Sequence, residues 1–217
     1  MSGEAGYGPR VSIVELRQYT LHPGRRDELV ELFEREFVES QDELGARVVG
    51  TFREPARPDR FVWIREFDDM TARLAALTAF YTGPVWKANS AAANATMIDS
   101  DDVFLLESVA GAFGLGERAP VGAGEPGTSR VLAVVHLADA APDPAEVEEA
   151  LGVAPVVLRS APYENDFTAL PVRDERVVVR FAAYPTADDA AAARARLAPG
   201  ALQVLELEPT ARSAYRW

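Results

Sequence analysis

The chain has no cysteine, a single lysine (Lys87) and only two histidines, His22 and His136, in 217 residues. The first absence excludes disulfides, thiolate nucleophiles and zinc–thiolate sites. So few histidines argue against a multi-histidine metal centre within one chain. Positive charge rests on twenty-one arginines and is outweighed by 34 acidic residues, for a net charge of −12 and a pI near 4.7. Nucleic acid and anionic membrane surfaces would repel such a chain, which leaves small molecules or other proteins as partners. No apolar run is long enough to span a bilayer, and Met1–Pro9 is polar and Gly-rich, without the apolar segment of a signal peptide. The expectation is a cytoplasmic protein.

What is present is organised around Ser12 to Arg25. Period-2 alternation there sets Ile13, Glu15, Arg17 and Tyr19 on one face of a strand and Val14, Leu16 and Gln18 on the other. Pro23 and Gly24 turn the chain into a helix carrying Leu29, Val30, Phe33, Phe37 and Val38 at helical spacing as far as Gly45. A second strand is expected over 46–53. A third, over 60–67, groups Phe61, Trp63, Arg65 and Phe67 on one face and Val62, Ile64 and Glu66 on the other. Asp68 and Asp69 can cap a helix with Met70, Leu74, Leu77, Phe80 and Tyr81 as its apolar set. Gly83 and Pro84 break it, a short helix follows over 85–95, and a strand over 102–108 closes a β-α-β-β-α-β order.

Six glycines and two prolines between Val109 and Ser129 mark a linker. The second half repeats the order. Strands are expected over 130–138, 154–161, 176–183 and 202–207, with an Asp143-Pro144-started helix stopped by Gly152 and an Ala-rich helix begun by Thr186 and Asp189. The domain expectation is thus 1–108, a linker at 109–129 and a degenerate second copy at 130–217. The fold class is α+β: two tandem ferredoxin-like βαββαβ domains whose sheets pair as a barrel.

Val14-Glu15-Leu16-Arg17-Gln18-Tyr19-Thr20-Leu21 running into Pro23-Gly24-Arg25, Val48-Val49-Gly50, the 60–68 strand and Gly83-Pro84-Val85-Trp86 together resemble the NIPSNAP family of dimeric α+β barrel proteins. The resemblance covers roughly residues 11–108. The second half lacks the signature and resembles only the fold. The resemblance implies two four-stranded sheets, from two chains or from two halves of one chain, around an interior that holds a small ligand. Family members mostly lack an assigned activity, and relatives of the fold include cofactor-independent monooxygenases, isomerases, cyclases and haem enzymes; fold does not choose among these.

With Val14, Leu16, Val62 and Ile64 under the helices, Glu15, Arg17, Tyr19, Trp63, Arg65 and Phe67 would line the barrel. Arg17 and Arg65 suit a carboxylate, enolate or phenolate, Tyr19 can donate to the same oxyanion, and Glu15 is a base if burial raises its pKa. Phe61, Trp63 and Phe67 can stack on a flat ligand, and Trp86 can line the barrel mouth. His136 and Arg180 would face the same interior, His136 as general base or axial haem ligand. His22 reads as an exposed turn residue. The alternative is that Glu15 only pairs with Arg17 or Arg65 in a polar core without a ligand.

Two functions stay open. One is a cofactor-independent enzyme of specialised biosynthesis that acts on a flat enolisable or aromatic, polyketide-like metabolite by proton transfer, cyclisation, rearrangement or oxygenation, as a homodimer or an intramolecular pseudo-dimer. The other is a non-catalytic small-ligand-binding or protein-interaction module, with haem binding as a minor variant.

Overall fold

The computed structural model describes residues 11–217; the polar start, Met1–Pro9, lies outside them. Alternation builds the strands β1 (Ile13–Leu21), β2 (Arg47–Arg53), β3 (Arg60–Phe67), β4 (Met97–Ala110), β5 (Arg130–Leu137), β6 (Val156–Ser160), β7 (Val177–Tyr184) and β8 (Gln203–Pro209). The helices are α1 (Arg26–Leu32), continued through a π-helical turn at Phe33–Phe37 into α2 (Val38–Asp42), then α3 (Met70–Thr82), α4 (Pro84–Asn94), α5 (Pro144–Leu151) and α6 (Ala187–Arg196). Asp69 accepts from the Ala72 amide at 2.8 Å to start α3, and Thr186 accepts from Asp189 at 3.2 Å to start α6. Gly152 stops α5 in the left-handed region at φ 72°, a conformation a Cβ would strain.

The eight strands form one closed antiparallel barrel in the order β1-β3-β2-β8-β5-β7-β6-β4. Within it the first four run β4-β1-β3-β2 and the last four β8-β5-β7-β6, the same order shifted by four. Antiparallel pairs β2·β8 and β4·β6 join the two sets, so the barrel closes within one chain. β4 reaches Ala110, two residues past the expected boundary at 108, because Ala110 still pairs with Val157.

The barrel interior is a packed apolar core. Val14, Leu16, Val62, Ile64, Phe104 and Leu106 meet Val131, Ala133, Val135, Val179, Phe181 and Leu205 there. This reverses the expected assignment of faces: Glu15, Arg17, Tyr19, Trp63, Arg65 and Phe67 point outward, beneath the helices. The physical reason is that the strands offer largely apolar alternate sets to the interior, whereas the helices bring polar side chains of their own, Gln41 and Arg73, to the outer face. α3 is likewise rotated from its expected apolar set. It buries Arg73, Ala76, Leu77 and Phe80, and Leu74 is exposed.

The C-terminal tail is docked on the barrel. The Tyr215 amide donates to Val49 O at 2.8 Å, and its ring meets Phe113 at 4.9 Å over the end of the barrel core. At Gly50 the β2 bulge brings the ring of Phe52 so near that a Cβ would lie 2.4 Å from it, so a side chain there would have to displace that ring.

Candidate active site between the first half-sheet and its helices

Glu15, on β1, is fully buried and sits at the centre of three arginines. Its Oε2 accepts from Arg17 Nη1 at 2.8 Å and from Arg65 Nε at 2.8 Å, with Arg65 Nη2 at 2.7 Å; Oε1 accepts from Arg73 Nε at 2.8 Å. Strand register makes this contact, since Glu15 stands directly opposite Arg65 and Arg17 opposite Trp63. Arg73 comes from α3, one helical turn before Leu77. Beyond Glu15, Arg73 donates to Asp166 at 2.5 Å and Asn165 at 3.1 Å, both on the hairpin between β6 and β7, and Arg65 donates to Gln41 at 2.9 Å. Burial alone would raise the pKa of Glu15, but the charges of Arg65, Arg17 and Arg73 overcome it and hold the carboxyl well below the usual range. A base needs the opposite shift. Glu15 is therefore the structural anion of the cluster, which corrects its expected role.

Two carboxylates facing three guanidinium groups leave one positive charge in excess. It falls nearest Arg17, whose Nε donates to the Tyr19 hydroxyl at 3.1 Å and whose Cζ lies 5.6 Å from the Trp63 ring centroid. Burial pushes the Tyr19 phenol up against the opposing charge of Arg17, so at neutral pH its hydrogen remains free to donate elsewhere. Trp63 is 2% exposed, and its buried Nε1–H has no hydrogen-bond partner among the described residues.

Tyr19 and Trp63 form the floor of a cavity of about 30 Å³ roofed by Phe33, Phe37, Phe80, Tyr81 and Trp86. The π-helical turn sets Phe33 and Phe37 edge to face, 5.8 Å apart, with Phe33 against the Trp63 ring at 4.7 Å; such turns are frequent at functional sites. A space of this size holds one or two water-sized groups, so a larger ligand requires α3 and α4 to part from the sheet. Gly83, between them, provides a break in the roof.

The structure thus gathers Glu15, Arg17, Tyr19, Trp63 and Arg65 beside Phe61 and Trp86, while Phe67 stacks under Arg65 at 5.6 Å on the side away from the cavity. It separates His136 and Arg180 from all of these. They lie on the outer face of β5 and β7, under the helices of the second half and not inside the barrel, because they alternate with the interior residues Val135, Val179 and Phe181. The cavity beside His136, about 190 Å³, is too small for a porphyrin, so the axial-ligand reading does not fit. His22 is exposed in the turn after β1. Among the described residues there is no cluster of three or more His, Asp or Glu arranged to hold a metal ion, and no helix is long and apolar enough to cross a membrane.

Sequence reasoning missed Gln41, Arg73, Asn165 and Asp166. The signal for Arg73 was available: at helical spacing it shares a stripe with Ala76, Leu77 and Phe80. For Asn165 and Asp166 there was none, since they reach the site only through the barrel's closure.

An α+β protein with an eight-stranded antiparallel barrel, carrying a buried arginine cluster under its first helices, is the class that fold and site define. The NIPSNAP family model matches residues 14–110, a little under half of the chain. A NIPSNAP family protein from Agrobacterium tumefaciens is 18% identical over 48% of this chain and 93% of its own, with a TM-score of 0.42. Two structures extend over both halves. A protein from Fusobacterium nucleatum provisionally named a monooxygenase aligns over 96% of this chain and 97% of its own, at 9% identity and a TM-score of 0.54. Another so named, from Lactobacillus acidophilus, aligns over 94% and 97% at 11% identity and a TM-score of 0.50. At these identities they establish the shared fold alone. No protein of curated function matches the sequence.

Proposed function

We propose that the first-half cavity binds a small, flat, anionic or enolisable aromatic metabolite and promotes its proton transfer, cyclisation, rearrangement or oxygenation without a cofactor, in specialised biosynthesis. The observation that carries this reading is the unbalanced buried charge. Three arginines face Glu15 and the partly exposed Asp166, and the excess cation at Arg17 stands beside two donors with unused hydrogens, the Tyr19 hydroxyl and Trp63 Nε1–H. Donors fixed in a water-poor site stabilise a developing oxyanion more strongly than water does, because no dipole has to reorient when the charge appears. In this reading Arg17 and Tyr19 hold the enolate or phenolate oxygen, Trp63 and Phe61 stack on the ring, and Arg65 with Glu15 keeps Arg17 in place. Trp86 belongs to the roof that opens to admit the ligand. His136 and Arg180 have no part in this step.

The chain is further read as two tandem ferredoxin-like halves, 1–108 and 130–217, whose sheets pair within one molecule instead of as a homodimer in the cytoplasm. The repeated strand order supports this. One observation favours the alternative of a non-catalytic ligand-binding module: Glu15, the single carboxylate at the core of the cluster, is fully engaged, so a base must come from the substrate or from Tyr19.

The test is a panel of enolisable aromatic ketones and naphthols, followed by absorbance, oxygen uptake and product mass. Arg17→Met should weaken binding tenfold or more. Tyr19→Phe should retain binding and lower turnover by about 10²-fold, the usual loss for one oxyanion donor. Binding with no product from any member would leave the binding module as the function, and binding indifferent to both substitutions would remove the cavity as the site.

A further inference from the structure

The tail after β8 returns to the first half. It runs along β2, where the Thr210 amide donates to Thr51 O at 2.9 Å, the Thr51 amide to Ser213 Oγ at 3.2 Å and the Tyr215 amide to Val49 O at 2.8 Å. Arg212 lies within this stitched stretch, 5% exposed, and its partners belong to the first-half helix and to the segment that joins the halves. Its amide donates to Glu34 Oε1 at 2.9 Å and its Nε to Ala119 O at 2.8 Å. Nη1 donates to the Glu34 carbonyl and, at 3.2 Å, to the Glu39 carboxylate, which Nη2 also meets.

Glu34 and Glu39 stand on either side of Phe37, where the helix leaves α geometry at φ −106° and ψ −11°. In a regular α-helix two residues five apart are rotated by about 140° around the axis and face different ways. A π turn bonds residue i to i+5 and so brings such a pair onto one side, within reach of a single guanidinium. The register matters to the cavity. Phe33 and Phe37 belong to the turn, and Gln41, which lines the cavity and accepts from Arg65, follows it in α2. Rewinding the turn as α-helix would rotate Gln41 relative to Phe33 by about 100° and take it away from Arg65.

We infer that Arg212 is a positioning residue of the first-half cavity: its grip on Glu34 and Glu39 holds the π-helical turn in register, and with it Phe33 against Trp63 and Gln41 against Arg65. The second half thereby shapes the site of the first. The positioning stands on these contacts alone, and only its effect on ligand affinity rests on the proposed function.

Trp63, Trp86 and Trp217 are the only tryptophans, so a proton–nitrogen correlation spectrum of the full chain carries three indole lines, assigned with Trp86→Phe and Trp217→Phe. Phe33 lies 4.7 Å from the Trp63 ring, and its ring current makes that line a gauge of the turn. Arg212→Gln should move the Trp63 line by several linewidths and speed amide exchange over 33–42. Glu39→Gln opens the same clamp from the helix side, should move the line in the same direction, and stands in if the first variant does not fold. Arg216→Gln, which removes only the 2.8 Å bond from the tail to Glu117 O, should leave the line in place. Affinity for 2-naphthol should fall about tenfold in Arg212→Gln, within what a small misplacement of a site costs. A Trp63 line unmoved in both clamp variants, or moved as far by Arg216→Gln, would overturn the inference whatever the loss of stability. No binding of 2-naphthol or its panel by the wild type would count against the proposed function, and the Trp63 line would still decide the positioning.

Discussion

Replacing Glu15 by Gln tests the account of the buried cluster most directly, because shape is nearly conserved while the central charge is removed. Glu15 makes four nitrogen contacts between 2.7 and 2.8 Å to three arginines, with no exposure on its side chain. Removing one partner of a buried ion pair usually costs about 3–5 kcal/mol, since the other charge is stranded. Here Arg17 and Arg65 are stranded outright, whereas Arg73 keeps Asp166. The upper part of that range, about 4–5 kcal/mol, is expected at pH 7, corresponding to a melting temperature lower by roughly 8–20 °C for a chain of this length. The pH dependence gives a second handle. The folded-state pKa of Glu15 is depressed, so its contribution is complete above the unfolded value near 4.3 and is lost as pH falls below it. The difference between wild type and Glu15→Gln should therefore shrink by about 1.4 kcal/mol per unit below pH ~4.3. Urea unfolding from pH 7 to pH 3 measures both. A loss under 1 kcal/mol at pH 7, or a difference that does not change in acid, would refute the reasoning.

Arg180→Met removes a buried cation without an internal anion and should raise stability by about 1–3 kcal/mol in ligand-free protein, read by urea unfolding. His136 has its pKa lowered first by burial and then by Arg180, so the folded state binds fewer protons than the unfolded one, and stability should fall as pH drops below about 6.5. His136→Gln should flatten that part of the stability profile. Asp166→Asn loosens the clasp on Arg73 from a carboxylate that is 29% exposed; a modest loss of about 1 kcal/mol is expected, with faster hydrogen exchange confined to 161–176. Because the barrel closes within one chain, the unfolding midpoint should not depend on protein concentration, as it would if two chains completed the barrel.

Element order and type were legible in the sequence because period-2 and helical spacings are local. β3 was expected over 60–67 and is found there, and Asp69, Thr186, Asp143 and Gly152 start or stop the helices they were expected to. The identity of the site residues on β1 and β3 was legible for the same reason, since alternation groups Glu15, Arg17 and Tyr19 whichever way they face. Which way they face was not. Alternation fixes that two faces differ, but the side that meets the helices depends on the inner stripe of α3, and one arginine at position 73 makes that stripe compatible with a charged sheet face. The joining of the halves through β2·β8 and β4·β6 was equally hidden, because pairing partners so far apart in the chain, Phe52 with Pro209 and Leu106 with Ser160, leave no local pattern.

The hairpin between β6 and β7 carries a consequence of its own. It stacks Phe167 on Tyr81 at 5.7 Å, packs Leu170 and Val172 against the cluster that holds Phe67 and Leu105, and takes hold of Arg73. If two identical subunits met about a twofold axis, one sequence would have to serve both as the grasping arm and as the grasped pocket, and each substitution would be felt twice. Covalent joining relieves that constraint. The two halves are then free to differ, and here one supplies the covering hairpin while the other supplies the arginine cluster that it holds.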